Sequence, residues 1–234
     1  MKPIVRWTIG GNASTDGFLC LAKSVGMWKK IYNDEFDLYI CHNNLSDSRL
    51  AGISKLKTKL ICQEDYINSL SIPPRFGPEW KLYPPRISLD TEEIFIDNDL
   101  IVYKRLRMLD ESIASQRIAT STAVNCSHGS FNDLSIDSPI NTGFMCFPRK
   151  YDFKKKIEGF LKKHSVEAWE RFCDEQGMVS CLLKYEAKLI PMHVIATCHH
   201  GNSTPKFGLC GTHFVGLNRG NNKHFRNFMR GKLI

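Results

Sequence analysis

A chain of 234 residues with 42% hydrophobic and 24% charged side chains has enough apolar material for a sizeable core, yet no run approaches the roughly 20 apolar residues that span a bilayer. Its formal charge of +8, from 32 Lys and Arg against 24 acids, favours anionic partners: a nucleotide diphosphate, nucleic acid or an acidic surface. Nine cysteines, an odd number without regular spacing, argue against a disulfide framework and for reduced, mostly buried thiols; the stretch Met1 to Trp7 is too short and broken for a signal peptide.

Ile4 to Ile9 reads as a first strand, closed by the turn Gly10-Gly11-Asn12. Phe18, Leu21, Ala22, Val25 and Trp28 then recur at helical spacing, with Asp16 placed to cap the helix. Asp37 to Cys41 makes a second strand, Ser46 to Leu56 a short helix and Thr58 to Cys62 a third strand. That β-α-β-α-β order is the mark of a mostly parallel sheet with helices on its faces. Pro73, Pro74, Pro78, Pro84 and Pro85 make the next stretch irregular, apart from a helical turn at Trp80 to Tyr83. Ile94 to Val102 supplies a fourth strand, interrupted by an acidic pair, and Asn125 to Asp137 reads as loop. Asn141 to Phe147 is a strand; Phe153, Ile157, Phe160 and Leu161 mark a helix with a lysine-rich outer face; Trp169, Phe172, Val179, Leu182 and Leu183 mark another. Lys188 to Ala196 is a late strand in which His193 reads as a core histidine, and residues 200–234 read as loop. No repeat and no linker divides the chain, so a single domain is expected.

Asp97-Asn98-Asp99 follows the apolar run Glu93-Ile94-Phe95-Ile96. In open α/β sheets ligands bind beyond the carboxyl ends of strands. Two carboxylates there suit Mg2+ or Mn2+, which are commonly held by one or two carboxylates together with substrate phosphates. The plain alternative is a solvated turn. A second segment, Gly211-Thr212-His213-Phe214-Val215-Gly216-Leu217-Asn218-Arg219, offers an imidazole to complete such a shell and an arginine to neutralise a phosphate. Alone, His213 reads as a surface-loop histidine.

Taken together and in this order, the two segments resemble the GT-A glycosyltransferases, in particular the family-8 type. There a strand ends in Asp-x-Asp, and a late His-Phe-x-Gly-x-x-Lys gives a histidine to the same metal and a lysine to the diphosphate. Here Arg219 stands in the lysine position, and Lys81 of Trp80-Lys81-Leu82 stands where the family has the arginine of Ala-Arg-Leu. Ile140-Asn141-Thr142-Gly143-Phe144 resembles the Asn-Ser/Ala-Gly strand that lines the sugar and acceptor side. Asp174-Glu175-Gln176-Gly177-Met178 resembles the helix-start Asp-Gln-Asp motif, with Gln176 near the reacting carbon, Glu175 in the place of the first aspartate, and Gly177 departing from the third. In this fold the loop after the first strand packs the nucleobase and ribose, which points to Thr8, Ile9, Gly10 and Gly11; no Gly-x-Gly-x-x-Gly is present, so these glycines are not a dinucleotide fingerprint.

The resemblance implies an α/β chain of GT-A type, a mostly parallel Rossmann-like sheet flanked by helices, with residues 1–103 as the nucleotide-binding half and 104–234 as the acceptor-binding half and C-terminal loop. It implies transfer of a hexose, with retention, from a nucleotide diphosphate sugar (by default a UDP-sugar) to a hydroxyl acceptor such as a glycan, in the presence of Mn2+ or Mg2+. Asp97, Asp99 and His213 would hold the metal. Thr8, Ile9, Gly10, Lys81, Asp97, Asn98, Asn141, Thr142, Gly143, Gly216 and Arg219 would bind the nucleotide sugar. Glu175, Gln176 and Asp174 would face the chemistry, although a carboxylate at Asp174 or Glu175 also suits the general base of an inverting enzyme.

Three other classes compete. Cys198, His199, His200, Cys210 and His213 are zinc-binding types, but without Cys-x-x-Cys spacing. A nucleic-acid binder or modifier, or a protein resting on a membrane surface, would use Lys154, Lys155, Lys156, Lys162 and Lys163, or the tail Lys223, Arg226, Arg230 and Lys232 with Phe225 and Phe228 interleaved. A nucleotidyltransferase would more often place a basic residue beside Gly10-Gly11-Asn12. The sequence points to a soluble, cytoplasmic enzyme of bacterial or viral type, and leaves its oligomeric state open.

Overall fold

The apolar runs of the first half become the parallel core of a seven-stranded sheet. The computed structural model describes residues 1–124, 126–135, 137–217 and 222–231. Strands β1 (Ile4–Gly10), β2 (Asp37–Asn43), β3 (Lys59–Cys62) and β4 (Glu93–Asp97) run parallel, linked early on by α1 (Thr15–Tyr32) and α2 (Asp47–Ser54). The chain continues through β5 (Leu100–Val102), α3 (Arg107–Ala114), β6 (Ala119–Thr122) and β7 (Ile140–Phe147). Then come α4 (Phe153–Lys163), α5 (Asp174–Leu183), β8 (Lys188–Ile190), β9 (Ile195–Thr197), β10 (Gly211–His213) and α6 (Lys223–Met229). The large sheet has the order β3-β2-β1-β4-β7-β6-β8, with β7 antiparallel to both neighbours, and a small sheet has the order β5-β10-β9. The α/β sheet expected from the sequence is the observed one.

Apolar side chains cover both faces of the large sheet, as its mostly parallel strands require. On one face α1 packs Trp28 edge-on to Trp7 at 6.2 Å and stacked on Tyr32 at 4.4 Å. On the other, α4 and α5 build a core around Phe95, Phe147, Phe153 and Met178. A third cluster joins Ile101, Phe214, Leu217, Phe225 and Phe228 beneath the small sheet.

Several elements depart from expectation. Ser14, not Asp16, caps α1: its Oγ accepts from Gly17 N at 3.1 Å, while Asp16 in the first turn pairs with Arg226 at 3.0 Å. The fourth strand splits at the acidic pair, β4 staying in the large sheet and β5 entering the small one. Lys188 to Ala196 also splits, because Pro191 cannot donate to a ladder; β8 and β9 lie in different sheets and His193 is exposed in the turn between them. Helical periodicity from Trp169 runs through loop: Cys173 adopts a left-handed conformation (φ 74°), so α5 starts only at Asp174. Trp169 is buried core and donates Nε1–H to Tyr83 Oη at 3.2 Å, whereas Phe172 is 56% exposed.

The basic tail is a helix rather than a loop. Asn222 caps it by accepting from His224 N and Phe225 N at 3.1 Å. Phe225 and Phe228 face inward onto Phe214, so they offer no aromatic surface to a membrane or nucleic acid; Lys232 lies outside the described residues. Among the described residues no helix is long and apolar enough to cross a membrane.

Candidate active site

A cavity of about 640 Å³ opens at the carboxyl ends of β1 and β4. In the pairing of these strands Thr8 stands beside Asp97. The backbone then turns, and β5 pairs antiparallel with β10 so that Leu100 faces His213; Phe214 N donates to Asp99 O at 2.8 Å. That crossing from one sheet to the other brings Asp97, Asp99 and His213 together from distant parts of the chain. His213 Nε2 lies 2.9 Å from Asp99 Oδ1 and 3.8 Å from Asp97 Oδ2. One ligand atom from each of the three falls within 4.8 Å of the others, and among the described residues no other group of three His, Cys, Asp or Glu does so. Two carboxylates and an imidazole make a donor set that could hold a divalent cation. The zinc alternative loses its geometry: Cys198 is buried in the third apolar cluster, and among the described residues no group of three metal-ligating side chains includes Cys210, His199 or His200.

Lys81 arrives from the irregular proline-rich stretch. Its Nζ is 2.7 Å from Asp97 Oδ1 and 3.5 Å from Glu175 Oε1, and it donates to Thr142 Oγ1 at 3.2 Å. Burial works against the ammonium, but Asp97 and Glu175 hold its pKa above the ordinary lysine value. Burial pushes the Glu175 carboxyl up, with Lys81 opposing. Glu175 Oε1 accepts from Thr142 Oγ1 at 3.0 Å, while Oε2 is buried without a protein partner. For His213 burial works downward, and Asp99 and Asp97 outweigh it, holding the imidazole above its ordinary value.

Strand β7 supplies the far wall. Its pairing with β6 breaks between Thr120, opposite Met145, and Ser121, opposite Asn141, leaving residues 142–144 without a β6 partner. Such a bulge re-aims side chains, and consecutive Asn141 and Thr142 both line the cavity. Gly143 is required by closeness: a Cβ there would lie 2.5 Å from the His213 ring. Gly177, the departure from the family motif, has a similar cause, since a Cβ there would lie 2.1 Å from His128 O.

Gly10, Asn98, Gln176 and Gly216 also line the cavity. Ile9 does not; strand alternation turns it into the first apolar core. Nor does Asp174, which is buried beside the cavity. Its Oδ2 accepts from Glu170 N at 2.8 Å and Arg171 N at 2.9 Å, and its Oδ1 from Ser130 N at 2.6 Å, so its carboxylate clamps the loop before α5 and is not available as a base. Arg219 lies outside the described residues.

Sequence reading missed other cavity residues. Gln63 Nε2 donates to Tyr83 O at 2.7 Å, so its Oε1 accepts from Asn43 Nδ2 at 2.9 Å, which leaves Asn43 Oδ1 as the atom facing the cavity beside Gly10. Glu79 accepts from the backbone N–H of Arg75 at 2.5 Å and Gly77 at 3.0 Å, and from that of Phe76, fixing a loop at the cavity mouth. Phe172, His199 and His200 line the opposite side. Only a contact map identifies these; an asparagine ending β2 carries no motif of its own.

No protein-family model matches the chain, and no curated protein matches it in sequence. Solved structures do match in fold. A bifunctional glycosyltransferase, WbbM, superposes with a TM-score of 0.70 at 13% identity over 99% of this chain, which spans 50% of that one. The galactosyltransferase LgtC, solved with donor and acceptor sugar analogues, gives 0.60 at 12% identity over 98% of this chain and 99% of its own. Mouse xyloside xylosyltransferase 1 gives 0.58 at 9% identity over 93% and 99%. The chain therefore has the GT-A glycosyltransferase fold.

Proposed function

We propose that this protein is a metal-dependent hexosyltransferase. It moves a sugar from a nucleotide diphosphate donor, a UDP-sugar, to a hydroxyl of a glycan acceptor, with retention. What supports the reading above all is the convergence of Asp97, Asp99 and His213 with Lys81 and Glu175 in one cavity at the strand ends. The donor set fits Mn2+ or Mg2+, held by Asp97, Asp99 and His213. Such an ion would supply Lewis-acid stabilisation of the negative charge that develops on the leaving diphosphate.

The chain's own groups divide the remaining work. Residues 1–103 hold the nucleotide, with Thr8, Gly10, Asn43 and Asn98 around base and ribose. Gly216 approaches the diphosphate, and Lys81 keeps fixed positive charge beside it. Residues 104–234 hold the acceptor. The bond from the anomeric carbon to the diphosphate oxygen breaks with its electron pair going to that oxygen. The acceptor hydroxyl bonds to the same carbon and its proton leaves with the diphosphate. Glu175 and Gln176, which line the cavity, stabilise positive charge on the sugar and position it.

A thermal-shift screen of nucleotide sugars with and without Mn2+ tests this. A true donor at about 100 times its dissociation constant adds roughly 2.7 kcal/mol of stability. The expected result is a Mn2+-dependent rise with a UDP-sugar; no rise with any nucleotide sugar would contradict it.

A further inference from the structure

Strand β7 carries a hydrogen-bond chain that runs in one direction only. It begins at Ser127 O, a backbone carbonyl that can only accept. Gln176 Nε2 donates to it at 2.7 Å, so Gln176 Oε1 faces the other way and accepts from Thr142 N and from Asn141 Nδ2, each at 3.4 Å. Asn141 Oδ1 must then be its acceptor end. It takes Gly143 N–H at 3.0 Å and meets His213 Nδ1 at 3.1 Å. Two backbone groups, Thr142 N–H and Gly143 N–H, which can only donate, enforce the same orientation of both amides. His213 Nδ1 therefore carries hydrogen, and Nε2, which donates to Asp99 Oδ1 at 2.9 Å, is the nitrogen whose lone pair a cation on Asp97 and Asp99 would take in place of that proton.

We infer that Asn141 is a positioning residue that fixes the tautomer and ring orientation of His213, so that Nε2 faces a divalent cation, and that the same amide ties this ligand to Gln176. Both polar ends of Asn141 are committed within the protein, and its contribution is made through His213 and Gln176. The inference rests on the metal reading above.

Calorimetric titration of Mn2+ into the protein, without donor or acceptor, tests it. Outer partners of ligating histidines typically contribute 10–100-fold in metal affinity. Asn141→Ala, shown to be folded by circular dichroism, is expected to bind Mn2+ roughly 10–100-fold more weakly. Asn141→Asp keeps an oxygen for Nδ1–H while losing the donor to Gln176; it is expected to bind Mn2+ within about threefold of wild type or more tightly, because the acceptor oxygen is what the ring needs. Wild-type affinity in folded Asn141→Ala, or a loss in Asn141→Asp equal to that in Asn141→Ala, would overturn the inference. His213→Ala separates the two readings. If it loses Mn2+ and Asn141→Ala does not, only the relay fails. If wild type and His213→Ala bind Mn2+ equally or not at all, the metal reading fails and the relay with it.

Discussion

Gly143 shows how tightly the site is specified by single residues. The β7 backbone passes so close to the imidazole of His213 that a methyl group would lie 2.5 Å from its Cε1 and Nδ1. Neither partner can yield cheaply, because Gly143 N–H is tied to Asn141 Oδ1 at 3.0 Å, the next residue, Phe144, is paired with β4, and the ring is buried. Gly143→Ala should weaken Mn2+ binding roughly 10–100-fold, the usual effect of disturbing the groups that orient a ligating histidine. Calorimetric titration checks this, and wild-type affinity would show that the ring has room to move. At this scale the sequence was informative where chemistry is rare. Two carboxylates after an apolar run and a late histidine could be singled out, and Lys81 through family resemblance. It was uninformative where a residue's role depends on which partner it meets. Asp174 reads as a catalytic carboxylate or general base, but three backbone N–H groups from two loops occupy it. Asn43 falls beyond the strand expected over Asp37 to Cys41, yet it ends β2 and the Gln63 contact makes its oxygen part of the cavity wall.

Elements with a strong period were legible, and those shaped by tertiary contact were not. The strands β1, β2 and β7 and the helices α1 and α4 follow from runs of apolar residues at period two or 3.6, or from continuous burial. Helix α3, with only Leu109 and Ser112 buried, and β6, the short Ala-Thr-Ser-Thr strand, have too few apolar residues to announce themselves. Helix α6 hides behind its composition: Lys, His, Arg and Asn make up four of its seven residues, yet Phe225 and Phe228 insert under the small sheet and support β10, which bears His213. Phe225→Ala should therefore cost about 3–5 kcal/mol, the usual loss for a fully buried phenylalanine. Urea unfolding measures it. An unchanged midpoint would mean that the aromatic face of α6 is not part of the core, and would revive the surface-binding reading of the tail.

Across the whole molecule, the cavity draws on both halves of the chain and concentrates charge at its centre. Glu175 and His213 both have raised pKa values, so each binds its proton more tightly folded than unfolded. Their contribution to stability is full below their ordinary values of 4.5 and 6.5 and is lost as pH rises through the folded values. Metal-free protein should thus lose stability as pH rises from 6.5 upward, and His213→Asn should flatten that part of the profile. Chemical denaturation at stepped pH checks the sign; a profile rising over that window, or unaltered in His213→Asn, would contradict it. A cation competes for the same nitrogen, so Mn2+ affinity should weaken as pH falls through the imidazole's raised value.

The central claim is that a divalent cation on Asp97, Asp99 and His213 grips a nucleoside diphosphate. Calorimetric titration of UDP into wild type and into folded Asp97→Asn/Asp99→Asn protein, each with and without Mn2+, tests it most directly. UDP should bind the wild type strongly only with Mn2+, and the double variant should show no Mn2+-dependent gain. UDP binding that ignores Mn2+ in the wild type, or a Mn2+-dependent gain that survives in the double variant, would contradict the claim.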